Sequence, residues 1–256
     1  MARRRNSNRR HRGSFGFLYK LLSMLVICAA IIAAITLFFK VKEIKVSGQQ
    51  RYTVEQIQEA TGILLGDNLY LLDKHEVAAG IVKELPYIET IRINRDLPDT
   101  LVITVQECDT PLAFVQDGFA WLMSPKGKIV DQQDAVAAED YANVTGAQLL
   151  APSVGTQIAL ATEYARQQSS LLELLKALGD AGMLEQLDGI RLGDTQAIYM
   201  EYADRFTVKM PYEADYAYKL RYLTAILDSG KIQSNMTGTF DMMAEDGRTN
   251  FIQNMR

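Results

Sequence analysis

An apolar run without a single charge extends from Leu21 to Phe39 and is closed by Lys40. At about 1.5 Å of helical rise per residue, roughly 19 such residues approach the ~30 Å hydrocarbon thickness of a bilayer and exceed the h-region of a cleavable signal peptide. Residues 21–40 therefore read as a transmembrane helix. Ala29, Ala30, Ala33 and Ala34 supply the small residues that cleavage needs, but apolar sequence continues past them through Ile35, Leu37, Phe38 and Phe39. Cys28 follows Ile27, whereas a lipid-modified cysteine would follow a small residue, so it reads as an ordinary apolar helix residue.

Residues 1–20 form a basic tail, with Arg3, Arg4, Arg5, Arg9, Arg10, Arg12 and Lys20 and no acid among them. The positive-inside rule holds such a block in the cytoplasm, which leaves everything after Lys40 outside it. Without the tail the chain has 20 basic and 31 acidic residues, a formal charge of −11. An exported body of that sign repels phosphate backbones, so topology and lipid contact explain the basic tail better than a nucleic-acid partner does. Beyond the apolar run the one cysteine is Cys108, so no intrachain disulfide is available there. About 215 residues can build their own core, and that length suggests two modest domains, 41–110 and 111–256.

The first module starts at the membrane surface. Val41, Ile44 and Val46 read as a short strand ending at Ser47 and Gly48, and Thr53 with Gln56 makes a capping box for a helix carrying Val54, Ile57 and Thr61 on one face. Gly62 closes it. Asp73 caps a second helix with Glu76 at its third position and Val77, Ile81 and Leu85 on one side, ended by Pro86. Ile91 and Ile93 then alternate with polar residues, a turn follows at 96–99, and Leu101, Ile103 and Val105 form the next strand. The order is β-α-α-β-β.

In the second module, apolar strands at 112–130 are separated by turn sequences at 116–118 and 124–127. Residues 131–140 read as a loop, and 163–178 as a helix with Tyr164, Leu171, Leu175 and Leu178 on one face and Gly179 as its stop. Strands are expected at 190–192, 197–202 and 206–210, then a helix at 215–228 with Tyr216, Leu220, Leu223 and Leu227 as its core stripe. Two last strands, 239–243 and 249–254, flank the turn at 245–247. The expectation is a mixed sheet backed by helices on one face, an α+β protein overall. Tyr218 and Tyr222 fall off the core stripe and read as an exposed contact patch, since a tyrosine ring carries both apolar area and a polar tip.

Chemistry-bearing residues are few. The one histidine past the apolar run, His75, sits on the first turn of a helix and reads as solvated. Cys108 ends a strand with no helix N-terminus or histidine beside it in sequence, which marks a structural thiol. The acid pairs Glu139–Asp140 and Glu245–Asp246 fall in loops and read as solvated charge, and the sequon at 143–145 as chance. No catalytic, cofactor-binding or metal-ligating residue is assigned. The alternative left open is a membrane-anchored cell-wall enzyme with two carboxylates brought about 5–9.5 Å apart by the fold.

The last strand stands out for another reason. Only Met255 and Arg256 follow it, so at a sheet edge its unpaired N–H and C=O groups would invite a partner strand. As an inner strand it would instead bury Phe251 and Ile252 on opposite faces; which residues would face outward is open at this point.

Several segments together carry a resemblance: Val41-Lys-Glu-Ile-Lys-Val-Ser-Gly48, Gly66-Asp-Asn-Leu69, Leu85-Pro-Tyr-Ile88, and Leu97-Pro-Asp-Thr-Leu-Val-Ile-Thr-Val-Gln-Glu107. With Thr110-Pro-Leu-Ala113, Trp121, Gly127 and Gly238-Thr-Phe-Asp241, they resemble the FtsQ and DivIB cell-division proteins, whose exported part begins with a POTRA domain. Leu97, Cys108 and Phe240 depart from the residues most usual in that family at those places. The resemblance implies a POTRA domain followed by an FtsQ/DivIB-type β domain, and a non-enzymatic scaffold at the division septum. Its implied partners are the FtsB (or DivIC) and FtsL homologues and other divisome membrane proteins, including septal peptidoglycan synthases, with no cofactor. It places recruitment contacts at Thr90, Ile93 and Arg95, and strand addition by FtsB or DivIC at Thr249, Asn250, Phe251, Ile252 and Gln253. One POTRA-like module followed by a different domain argues against a chaperone for outer-membrane barrels.

Overall fold

A computed structural model describes residues 15–244 and 249–254. The basic block at 3–12, the acid pair and turn at 245–247, and Met255 and Arg256 lie outside the described residues. The first element, α1 (Phe15–Phe38), contains the window Gly16–Phe38 of 23 residues with mean hydropathy 2.8 and no buried residue, long and apolar enough to cross a membrane. It begins earlier than the uncharged run because Phe17, Leu18 and Tyr19 extend the apolar surface. Lys20 is accommodated because a long stem lets its ammonium reach polar surroundings.

β1 (Glu43–Ser47), α2 (Val54–Ala60), α3 (Lys74–Glu84), β2 (Ile88–Asp96) and β3 (Thr100–Glu107) follow in the expected order. They form a three-stranded sheet, β1-β3-β2, with β1 parallel and β2 antiparallel to the central strand. The capping box at Thr53 is present in full, and the Asp73 carboxylate accepts from the backbone of His75 and Glu76. Ile57, Leu69, Ile81, Ile88, Leu101 and Ile103 form the core under the helices. Gly48 has a φ of +88°, and a Cβ there would overlap the Val105 carbonyl, so the chain leaving β1 requires glycine. The Glu107 carboxylate then gathers the backbone N–H groups of Gln50 (3.0 Å), Arg51 (2.6 Å) and Tyr52 (3.2 Å), fixing the loop that enters α2.

The remainder is one nine-stranded mixed sheet. Its strands are β4 (Leu112–Gln116), β5 (Phe119–Met123), β6 (Ile129–Asp134), β7 (Ala142–Thr145), β8 (Leu187–Arg191), β9 (Ala197–Tyr202), β10 (Phe206–Pro211), β11 (Gly238–Asp241) and β12 (Asn250–Gln253), with α4 (Ala165–Asp180) before β8 and α5 (Tyr216–Asp228) before β11. The spatial order is β12-β11-β10-β9-β8-β7-β4-β5-β6. α4 connects the parallel pair β7 and β8, and α5 the parallel pair β10 and β11, both stepping the same way across the sheet. Right-handed crossovers must then put both helices on one face. There Leu171, Leu174, Leu175, Leu178, Leu220 and Leu223 bury against Ile190, Ile198, Met200, Val208 and Phe240.

Three local expectations need correction. Residues 131–140 are not a loop: β6 runs to Asp134, and 135–140 is a 3-10 turn whose Ala138 packs over Ala113, Ala120, Leu122 and Val130 on the opposite sheet face. β7 was not foreseen, because four residues with a polar Asn143 carry little periodicity; the Asn143 amide donates to the carbonyls of Ala138 and Tyr141. Gly179 does not stop α4 but lies inside it. The helix ends at Asp180, and Gly182, with φ +66°, takes the left-handed position beyond it.

Candidate partner-binding edge

Among the described residues β12 lies at one end of the nine-stranded sheet and pairs with β11 alone, Asn250 opposite Asp241 and Ile252 opposite Thr239. The orientation of its backbone follows from three hydrogen bonds. Gly238 N–H donates to Arg205 C=O (3.1 Å) and Met242 N–H to Lys209 C=O (2.9 Å), so the even residues of β11 point toward β10. Thr237, Thr239 and Asp241 are left to face β12, and Asn254 N–H donates to Thr237 C=O at 3.0 Å. Asn250, Ile252 and Asn254 therefore turn their backbone groups inward. Phe251 and Gln253 turn theirs to the open side, which resolves the register that the sequence leaves open.

The strand is held by its side chains as well. The Phe251 ring packs on Phe240 (4.7 Å between centroids) and Phe206 (6.3 Å), and such aromatic pairs contribute about 0.5–1.5 kcal/mol each beyond the area they bury. Asn250, Ile252 and Gln253 are exposed. Thr249 precedes the strand and is partly buried. Arg205 secures the approach to β11, its guanidinium donating to the carbonyls of Gln233 (2.7 Å) and Met236 (3.0 Å). Lys219 of α5 is buried, and its ammonium donates to Met242 C=O at 2.7 Å and Ala244 C=O at 3.2 Å, just past the residue opposite Asn250. That tie sets the N-terminal half of α5 beside the Asn250 end of the edge, on the Phe251 side of the sheet. Tyr218 and Tyr222 on this helix are exposed, as their place off the stripe suggests. Neither Lys219 nor Arg205 was singled out in the sequence. A lysine three residues after Tyr216, on the apolar stripe itself, was the signal for the first; nothing in the sequence pointed to the second.

The three residues expected to make recruitment contacts lie together on β2, an edge strand of the smaller sheet, but not on one face. Ile93 packs against the core of the first module. The Arg95 guanidinium donates to Leu72 C=O at 2.9 Å and lies 5.7 Å from the Tyr70 ring. Thr90 is on the other face, where its hydroxyl accepts from the Lys126 ammonium at 3.2 Å, and Lys126 also pairs with Glu89 at 3.1 Å.

His75 is exposed on the first turn of α3, and Cys108 is buried. Burial, then the neighbouring Glu89 carboxylate, pushes the Cys108 thiol up to about 12. Glu139 and Asp140 are exposed at the end of the 3-10 turn. Among the described residues no group of three or more His, Cys, Asp or Glu side chains could hold a metal ion.

Residues 39–107 match the family model described as POTRA domain, FtsQ-type. The cell division protein FtsQ of Corynebacterium glutamicum is 32% identical over 98 residues, covering 37% of this chain and 43% of that protein. FtsQ of Syntrophotalea carbinolica is 28% identical over 155 residues, or 60% of this chain and 49% of the relative. DivIB of Clostridium botulinum strain Loch Maree is 21% identical over 238 residues, 91% of each. The chain thus carries an FtsQ-type POTRA domain and is similar to the FtsQ and DivIB cell-division proteins. In the first two FtsQ relatives the match spans about half of their length. In the FtsQ/DivIB frame the matched POTRA segment takes in β1 to β3, and the Gly-Thr-Phe-Asp sequence is β11, the strand on which the open edge is built.

Proposed function

We propose that this chain is an FtsQ/DivIB protein, a non-enzymatic scaffold of the divisome that receives a strand from FtsB or DivIC along β12, and with it the FtsL homologue. In this reading α1 crosses the cell membrane once with the basic tail in the cytoplasm, the body is extracytoplasmic at the septum, and the scaffold links the division ring to septal peptidoglycan synthesis. The observation that carries the proposal is the open side of β12, where the N–H and C=O groups of Phe251 and Gln253 point away from the sheet. An added strand would satisfy them, each hydrogen bond contributing a net ~0.5–1.5 kcal/mol. Ile252 and Asn250 offer contacts on one face of such a strand, and Tyr218 and Tyr222 offer aromatic area on the other. Thr90 and its neighbours on β2 are the proposed recruitment surface.

Proline substitution at two adjacent residues tests strand addition. Gln253→Pro removes an outward N–H and puts a ring into the partner's path, so it is expected to weaken binding of the FtsB or DivIC exported segment at least tenfold, about 1.4 kcal/mol, with the melting temperature unchanged. Ile252→Pro removes an inward N–H from the β11 ladder and is expected to lower melting by about 2–4 °C or more. Parental affinity in Gln253→Pro places the partner site elsewhere. Peptidoglycan turnover by the purified chain, lost on replacing one acid, would replace the scaffold reading with the enzymatic one.

A further inference from the structure

The loop between α2 and α3 carries an apolar cluster that the fold does not bury. Leu64 and Leu65 are each 72% exposed and Leu71 77%, with Tyr70 beside them, whereas Leu69 between them is fully buried and fixes the loop to the core. This loop is bonded to the end of α1. The Asn68 amide donates to Ile35 C=O at 3.0 Å, Leu69 N–H donates to Phe39 C=O at 2.9 Å, and Val41 exchanges backbone hydrogen bonds with Gly66 and Asp67, both 2.8 Å. The Phe39 and Tyr70 rings meet edge to face at 5.0 Å. Ile35 is three residues inside the end of the apolar window, roughly 4.5 Å of helical rise. A 23-residue window is about 34 Å long, more than the ~30 Å of hydrocarbon, so its last turn sits at the boundary between acyl chains and headgroups.

We propose that Leu64, Leu65, Tyr70 and Leu71 form a membrane-contact surface that lies on the outer leaflet of the bilayer α1 crosses. Leucines reaching the acyl boundary, a tyrosine at headgroup depth and the exposed Lys40 beside them match the chemistry of that layer. The contact would fix the height and tilt of the first module over the membrane, and through it the orientation of β12. The inference rests on α1 being a membrane span and is independent of any divisome partner.

The test uses the full chain in vesicles of phosphatidylethanolamine and phosphatidylglycerol containing lipid brominated near the top of the acyl chain, with a second preparation brominated near the chain end for the control at residue 27, which is the midpoint of the apolar window. Leu65→Trp and Leu71→Trp are each read as added fluorescence over the parent, whose single tryptophan is Trp121 on β5. Val136→Trp, exposed on the second module, is the aqueous control, and Ile27→Trp within α1 the lipid control. Quenching at 65 and 71 at least twofold above that at 136 supports the proposal. Quenching at 65 and 71 no greater than at 136, with 27 strongly quenched, overturns it; shielding of 65 and 71 from acrylamide in that case assigns the cluster to a protein neighbour. An unquenched 27 removes the span and the inference together, leaving the reading of β12 untouched.

Discussion

A Cβ at Gly238 would overlap the Ile252 carbonyl oxygen and sit 2.8 Å from two ring atoms of Phe251, so β11 and β12 can close at this register only around glycine. The Gly-Thr-Phe-Asp sequence is thus read physically: glycine gives the neighbouring strand room, and Phe240 supplies the surface on which Phe251 packs. The ionisation of Cys108 is tied to folding. Its folded pKa, raised by burial to about 12 from an ordinary 9.0, means that the unfolded chain loses the proton first. Its contribution to stability is therefore complete below pH 9 and declines as pH rises toward 12. At pH 8 the native Cys28→Ala chain is expected to react with a thiol reagent on the order of 10²-fold more slowly than in guanidinium, because thiolate is the reacting form. Equal rates would place Cys108 in solvent.

At the scale of elements, most of the first module was legible, because capping residues, apolar stripes and turn signals coincided at Thr53, Asp73 and 96–99. What escaped was written in tertiary contacts. β7 is a strand because β4 and β8 flank it, and α4 continues through Gly179 because its leucines are buried to Leu178 and the left-handed position falls at Gly182. The candidate edge was legible as a strand flanking the turn sequence at 245–247, but its parity required three hydrogen bonds that no sequence pattern encodes. β2 separates in the same way. Because the Arg95 guanidinium donates to Leu72 C=O, Arg95→Glu is expected to lower the melting temperature by about 4 °C or more, a charged hydrogen bond being worth about 1.5–3 kcal/mol. Thr90→Glu places a carboxylate next to Lys126 and is expected to leave melting within about 1 °C. Septal recruitment is thus read cleanly in Thr90→Glu alone. Loss of recruitment there without loss of melting supports a contact role for this face, and parental recruitment argues against one.

At the scale of the whole molecule, the two sheets are coupled by buried polar contacts. The Lys128 ammonium, only 8% of the residue being exposed, donates to Ile88 C=O at 2.7 Å, and burial holds its pKa below the ordinary lysine value. Tyr87 donates to the Asp131 carboxylate at 3.0 Å, and burial together with that bond keeps its phenol protonated well above the usual range. These contacts, with Lys126 between Glu89 and Thr90, join β2 and the residue before it to β6 and the turn that enters it, and carry the position of the first module into the larger sheet. The far end of that sheet is β12. Amide hydrogen exchange of the full chain in nanodiscs, resolved residue by residue along 250–254 with and without saturating FtsB or DivIC exported segment, tests the central claim most directly. In the free chain the amides of Ile252 and Asn254 should be protected by β11, while those of Phe251 and Gln253 exchange freely. Added partner should bring protection to Phe251 and Gln253 specifically, and exchange at these two amides unchanged at saturation would contradict strand addition at this edge.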